Sequence, residues 1–340
     1  MKILYGVQAT GNGHITRART MAVELKKAGL EVDYLFSGRS CDKFFDMEAF
    51  GNYRCLSGLT FITEGGEVQL LKTAFKNNLP GFIRDVFTLK LSSYDLVITD
   101  FEPITAWAAR MQNKACIGIG HQYAFRYKIP VAGNNPVARL ILKSFAPAQR
   151  SLGMHWYHFN KPILPPMIEP VNTNAAFTPN KVLVYLPFDE IVDVVNWLRP
   201  QQDYEFFIYC DRTQPYDENH IHLRPFSRNG FLSDLATASS VISNAGFELL
   251  SESIQFGKKI LAKPLKGQME QMSNARALVE LGYGEAFHTF NHEHLQTWLG
   301  KAKPLPRPYP NVAETIVNWI KNGMMQDEAT LSRMLWTENV

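Results

Sequence analysis

Apolar and polar positions alternate along the first half of the chain in two rhythms. Residues 2–7 form a short, nearly continuous apolar run of the kind that fills a buried strand. Over residues 15–28 the apolar positions Ile15, Ala18, Met21, Ala22, Leu25 and Ala28 fall on one helical face. Gly29 is placed to end that helix. Residues 31–36 read as a second strand, and residues 70–90 carry mixed helical stretches broken at Pro80-Gly81. Residues 95–99, centred on Leu96-Val97-Ile98, predict a buried strand, followed by a helix over 104–111 and a strand over 115–119. Strands alternating with helices predict a mostly parallel sheet covered on both faces.

The rhythm stops at residues 161–170, where Pro162, Pro165, Pro166 and Pro170 cluster, and residues 171–180 are small and polar. It then restarts. Strands are predicted over 181–186, 204–210, 221–223, 240–243 and 259–262. Helices are predicted over 190–198, 230–238, from near Gly246, and over 268–281. The last thirty residues are helical in pattern, with Trp319 and Trp336 free to dock. The organisation expected is an α/β domain over 1–165, a linker over 166–180 and a second α/β domain over 181–322. A terminal helix over 323–340 would pack back on the first domain.

Composition narrows the class. The chain has 340 residues, 46% apolar and 20% charged, which is enough for two packed cores and excludes a disordered or collagen-like protein. Its apolar runs are far shorter than the roughly 20 residues of a membrane-spanning helix. The N-terminus enters a strand directly, without the apolar stretch of a signal peptide. Cys41, Cys55, Cys116 and Cys210 lie far apart, so neither a zinc site nor a disulfide framework is expected, and a reducing cytoplasm is the simplest setting. Charge is uneven. Residues 1–165 carry 20 Lys and Arg against 12 Asp and Glu, whereas residues 166–340 carry 15 against 20. No acid occurs between Glu102 and Glu169, a stretch holding Arg110, Lys114, Arg126, Lys128, Arg139, Lys143, Arg150 and Lys161. The first half is therefore expected to meet something anionic.

Two junctions carry candidate chemistry. The loop Gln8-Ala9-Thr10-Gly11-Asn12-Gly13-His14 joins the first strand to the first helix, where backbone N–H groups and a helix N-terminus suit an anion. A dinucleotide fingerprint would need a third glycine where Thr16 stands, and an acid near Arg39, so a dehydrogenase is disfavoured. His14 lies at the C-terminal edge of the sheet, where ligands bind in open α/β folds. The second junction, Ser243-Asn244-Ala245-Gly246-Phe247-Glu248, has Glu252 about two helical turns on, where a carboxylate could accept bonds from a ribose diol. Beyond it, Gln268, Glu270 and Gln271 offer the mixed donors and acceptors that sugar hydroxyls require, or simply a solvated loop.

In order and spacing these residues resemble glycosyltransferases of the GT-B fold. The branch is that of the lipid-linked N-acetylglucosaminyltransferase of peptidoglycan synthesis and the UDP-glucuronosyltransferases. Gly11, Gly13 and His14 match its N-terminal motif. Asn244, Ala245, Gly246 and Glu252, followed by Gly257, Pro264, Gln271, Asn274 and Ala275, match its donor motif. The runs Thr99-Asp100-Phe101-Glu102-Pro103 and Pro264–Gln271 resemble an uncharacterised prokaryotic set within it.

The resemblance implies two Rossmann-like domains facing across a cleft, with the C-terminal helices returning to the first. Asn244, Ala245, Gly246 and Phe247 would then meet the donor diphosphate, Glu252 the ribose, and Gln268, Glu270 and Gln271 the sugar. Phe226 and Ser227 would lie near the base. His14 would be the general base, and Asp100 either its partner carboxylate or the cap of the helix near Pro103. Glu248 departs from the family pattern, since it would repel a diphosphate unless it turns elsewhere.

The activity so implied is inverting transfer from a nucleotide-diphosphate sugar, most simply a UDP-sugar, with no further cofactor. With no Asp-x-Asp in the chain, metal-independent catalysis is expected. The acceptor would be a lipid-linked or anionic glycan. The basic stretch, interleaved with Tyr123, Phe125, Tyr127, Leu140, Ile141, Leu142 and Phe145, suggests peripheral contact with an anionic membrane, an anionic soluble acceptor, or an ordinary basic surface. No nucleic-acid-reading motif is evident. The alternatives are a nucleotide-sugar hydrolase or 2-epimerase of the same fold, and a non-catalytic nucleotide-sugar-binding protein.

Overall fold

A computed structural model describes residues 1–60, 63–64, 67–68, 78–132, 140, 142–169 and 177–337. Beside a separate antiparallel pair, Thr63–Glu64 with Glu67–Val68, the main sheet of the first half has seven strands, β1 (Lys2–Gln8), β2 (Glu31–Ser37), β3 (Tyr53–Leu56), β4 (Leu96–Asp100), β5 (Cys116–Gly120), β6 (Arg150–Met154) and β7 (Ile163–Leu164). They form one sheet in the order β3-β2-β1-β4-β5-β6-β7, every pair parallel. Parallel neighbours need crossovers, which α1 (Asn12–Lys27), α2 (Leu79–Thr88) and α3 (Pro103–Met111) supply.

The second sheet repeats the plan. Its strands are β8 (Thr178–Tyr185), β9 (Glu205–Tyr209), β10 (Tyr216–Glu218), β11 (Ile221–Arg224), β12 (Ala238–Asn244), β13 (Lys259–Lys263) and β14 (Glu285–Ala286). They lie in the order β10-β11-β9-β8-β12-β13-β14, with only β10–β11 antiparallel. Its helices are α4 (Ile191–Leu198), α5 (Arg228–Thr237), α6 (Phe247–Gln255), α7 (Met269–Glu280) and α8 (His292–Leu299). Strand order reverses between β1 and β4 in one sheet and between β8 and β12 in the other. Each half thus has a switch point where helices diverge and a ligand can approach strand ends.

Two helices close the chain. α9 (Val312–Lys321) lies against α1, where Asn311 reaches Glu24, and α10 (Glu328–Thr337) lies on β7. Ser332 Oγ and Trp336 Nε1 both donate to the Ile163 carbonyl at 2.7 Å. Arg150 fixes the approach to α10, bonding Glu328 Oε1 at 2.6 Å and the carbonyls of Met324 and Gln326 at 2.7 and 2.8 Å. One continuous apolar core joins the halves through Trp156, Phe247, Leu250 and Ile254.

Three expectations change. Pro80 and Gly81 do not break α2 (Leu79–Thr88). They sit in the first turn of α2, where a missing N–H has no helical acceptor to lose, and Asn78 caps the turn through Gly81 N–H at 2.9 Å. The rest of that stretch, residues 70–77, and linker residues 170–176 lie outside the described residues. Cys41 and Cys55 are joined by a disulfide, their Cα atoms 6.1 Å apart. The return from the end of β2 to the start of β3 folds both cysteines into one corner, which their spacing of 14 residues does not reveal. Finally, Asp100 is not the cap of α3. Glu102 is, accepting from Ile104 and Thr105 N–H at 2.9 and 2.7 Å.

Candidate active site

Val7 on β1 stands opposite Asp100 on β4, so the loop leaving β1 and the last residue of β4 share the first switch point. α1 begins there with Gly11 as an extended N-cap that supplies no side-chain bond, and no acid lies in its first turn. The helix N-terminus is left electropositive. His14, in that first turn, places Nδ1 2.6 Å from Asp100 Oδ1. An ionised carboxylate only accepts, so Nδ1 carries a proton, and in the neutral ring Nε2 is the nitrogen with the free lone pair. Nε2 lies 3.5 Å from the amide nitrogen of Gln122, in the turn after β5 of the same half. Asp100 is fully buried. Burial opposes its charge, but Arg17 and His14 outweigh that and hold its carboxyl below the usual value.

Arg17, one turn beyond His14, is the residue that sequence reasoning missed. It is buried and grips both Asp100 oxygens, Nε to Oδ2 at 2.7 Å and Nη2 to Oδ1 at 2.5 Å. Its Nη1 bonds Glu248, which reaches over from α6 of the other half. Glu248 therefore does not face a diphosphate unpaired; it turns onto Arg17. Gly13 makes room for it, since a Cβ there would stand 2.9 Å from Glu248 Cγ. Gly120 makes similar room, with φ +148° and a Cβ position 3.1 Å from Arg17 Nη2. The i, i+3 spacing of His14 and Arg17 puts both on one helix face and was the available signal.

The second switch point lies across from the first. Gly246 caps α6 without a side-chain bond, and a Cβ on either Gly11 or Gly246 would meet nothing within 4 Å. Gly246 N–H is already donated to the Asn244 carbonyl at 2.8 Å, so it is not directed outward as expected. Asn244 donates to the Lys263 carbonyl at 3.0 Å and leaves its buried Oδ1 without a partner among the described residues. Ala245 is buried, and its carbonyl accepts from Asn274 at 2.9 Å. The Phe247 ring is interface packing, stacked on His121 at 3.9 Å and on Trp156 at 5.5 Å.

Glu252 is 6% exposed, and its carboxylate forms no hydrogen bond or ion pair with the described residues. Burial, with Glu248 and Glu169 nearby, pushes its carboxyl up to about 8. The Glu169–Arg228 ion pair stands beside it. Ser227 caps α5 through Gly230 N–H at 3.2 Å, and Phe226 is exposed against Tyr185. From α7, Glu270 accepts from Gln122 at 3.0 Å, tying that helix to the turn after β5. Gln271 turns inward to accept from Leu265 N–H at 3.0 Å, and Gln268 leaves a buried Oε1 without a described partner. Among the described residues no three His, Cys, Asp or Glu side chains are grouped to hold a metal.

The arrangement is a His–Asp pair and two uncapped helix N-termini between two Rossmann-like halves, an architecture of the GT-B glycosyltransferase class. The family model described as glycosyl transferase family 1 matches residues 1–303, and the chain belongs to that family. It is a glycosyltransferase. No curated protein matches it. Solved structures share the fold at low identity. The glycotransferase of kitacinnamycin is 12% identical with a TM-score of 0.60, covering 100% of this chain and 99% of that one. Acinetobacter baumannii MurG is 15% identical with a TM-score of 0.58, covering 94% and 99%. The glycosyltransferase VinC, solved in complex with dTDP, is 14% identical with a TM-score of 0.54, covering 98% and 96%.

Proposed function

We propose that the chain moves a sugar from a UDP-sugar to an acceptor hydroxyl, with inversion and without a metal. The observation that carries this reading is the 2.6 Å His14–Asp100 contact, which leaves Nε2 as the ring nitrogen turned away from the carboxylate. His14 Nε2 takes the acceptor's hydroxyl proton as that oxygen bonds to the anomeric carbon. The bond from that carbon to the donor phosphate breaks, and its electron pair leaves with the diphosphate. Asp100 stabilises the imidazolium. The N-termini of α1 and α6 face the charge that develops on the leaving group. A single displacement inverts the anomeric centre.

Asn244, Ala245, Gly246 and Phe247 form the diphosphate turn, and Gly11 and Gly13 leave the facing loop open. Glu252 holds the ribose, Phe226 and Ser227 border the base, and Gln268, Glu270 and Gln271 meet the sugar. The orphaned oxygens of Asn244 and Gln268, and the bare carboxylate of Glu252, support a polar ligand here. Binding of dTDP by VinC, which shares the fold, supports a nucleoside diphosphate. The acceptor is a lipid-linked or anionic glycan, reached by a cytoplasmic enzyme resting on an anionic membrane. No described helix is long and apolar enough to cross one. α2 supports surface contact, for Leu79, Ile83 and Phe87 form an exposed apolar stripe beside exposed Arg84 and Lys90.

Titration calorimetry with UDP, GDP, ADP and dTDP, without metal, tests the donor site. Binding of UDP above the others, lost in Glu252→Ala, is the expected result. No binding to any nucleotide leaves a protein that does not use this pocket, and the transferase assignment of these residues fails.

A further inference from the structure

His14 and Asp100 belong to the first half, yet the charge around them is completed from the second. Arg17 alone would leave the pair poorly poised. Its guanidinium holds both oxygens of Asp100, so the carboxylate's charge is spent on Arg17 and little is left to hold a protonated imidazole. Glu248 changes the balance. It arrives on the first turn of α6 and bonds the remaining Nη1 of Arg17, while its stem packs over Gly13. With Glu248 ionised, Arg17, Asp100 and Glu248 together carry one net negative charge beside His14. Without it they carry none.

We propose that Glu248 is a positioning residue of the transfer reaction, which takes up the charge of Arg17, frees Asp100 to hold the His14 imidazolium, and so makes the base competent only when the two halves are together. This rests on His14 being the base. It gives the departure at Glu248 a role, because a carboxylate at a phosphate-facing turn is tolerable when its charge belongs to Arg17. It also explains how a transferase limits reaction with water: the base gains strength only on closure.

The groups facing Glu248 come from every element around it. Arg17 and His14 lie on α1, Asp100 on β4, the buried Tyr5 hydroxyl on β1 and Glu252 on its own helix. Arg17 is the only one of these that pairs with it. Burial pushes the Glu248 carboxyl up to about 7 against the pull of Arg17, so the pair matters to its ionisation.

The test follows the histidine protons of the full-length protein by NMR across pH, in wild type, Glu248→Gln and Glu248→Asp. The signal of His14, one of nine histidines, is assigned by its loss in His14→Gln. Removing a negative charge one side chain away should lower the His14 midpoint by about one pH unit. Glu248→Asp should recover part of that shift. His121, stacked on Phe247 of the second half, is an internal reporter of closure and should hold its position. A His14 midpoint unchanged in Glu248→Gln overturns the proposal. So does a shift of His14 accompanied by movement of His121, since Glu248 would then be a strut between the halves. The measurement needs no turnover, so it can fail while His14 remains the base, and the converse.

Discussion

Asp100 has two partners available in the sequence, a helix to cap and a histidine to hold. The geometry gives the cap to Glu102 and the histidine to Asp100. What the chain order could not display was Arg17 gripping Asp100 from beneath, or Glu248 reaching Arg17 from 231 residues away. His14 and Asp100 were legible because each ends or follows a strand at a switch point. Arg17 was legible only through its i, i+3 spacing from His14, among other polar residues of the same helix. Replacing His14 by Ala should cost about 10²–10⁴-fold in turnover. UDP affinity should stay within about twofold, because every side chain assigned to the donor lies on the other half. Loss of both in calorimetry and transfer assays would place His14 in binding instead.

Glu252 gives a second prediction at this scale. Burial, Glu248 and Glu169 raise its folded value to about 8 from an ordinary 4.5. The folded chain therefore retains a proton that the unfolded chain releases between those values. Stability from this group is complete below the lower value and is lost as pH rises through the upper one. Glu252→Gln cannot ionise and should be more stable than wild type at pH ~8.5, by on the order of 2 kcal/mol or about 3 °C in Tm. At pH ~4 the two should melt together. The same variant should lose UDP, as befits a residue kept for binding at the expense of stability. Calorimetric melts at both values decide it, and equal melting at the higher pH would mean that the carboxyl is not desolvated in solution.

At the scale of elements, the alternation of strand and helix was readable because each crossover carries its own apolar face and each strand its own buried run. Strand ends were less readable. β4 and β12 each run on to the site residue, Asp100 and Asn244, because sheet pairing extends to their last positions. The disulfide was missed since it depends on where the chain returns, and the α2 start because Pro80 and Gly81 read as a break and not as a first turn behind the Asn78 cap. The basic stretch was read as one surface, but its members are divided. Arg150 is taken by Glu328 and the Trp319 ring, Lys114 by the Tyr94 carbonyl and Arg126 by Ser151, and Arg139 lies outside the described residues. Arg150→Ala removes three bonds and a stacked cation from the approach to α10. It should loosen that helix first, raising its amide exchange while the strands keep theirs, and cost about 2–3 kcal/mol overall. Uniform exchange across the chain would show that α10 is not an independent unit.

At the scale of the molecule, the seam between halves decides function, and sequence says least about it. Its bonds join residues far apart in the chain, among them His121 to Asn274, 153 positions apart, at 2.7 Å and Trp156 to Ser251, 95 apart, at 2.8 Å. No local rule of propensity or spacing encodes such pairs. The outer surface is more legible in its chemistry than in its use. The first half is the basic one, but several of its cations are spent internally, so charge alone is a weak argument for a membrane. α2 strengthens it, with Leu79, Ile83 and Phe87 exposed by 52%, 52% and 67% on one helical face. A membrane that takes up this stripe gains about 2 kcal/mol per large side chain buried. The protein should therefore float with vesicles containing about one-third anionic lipid, and Phe87→Glu should cut that binding by roughly tenfold or more. Added salt should weaken binding of both forms, because the exposed cations act only within a Debye length of about 8 Å. Binding that salt abolishes and Phe87→Glu leaves untouched would assign attraction to charge alone, and the stripe would have no part in it. No binding at low salt would remove the membrane from the reading and leave an anionic soluble acceptor to account for the basic half.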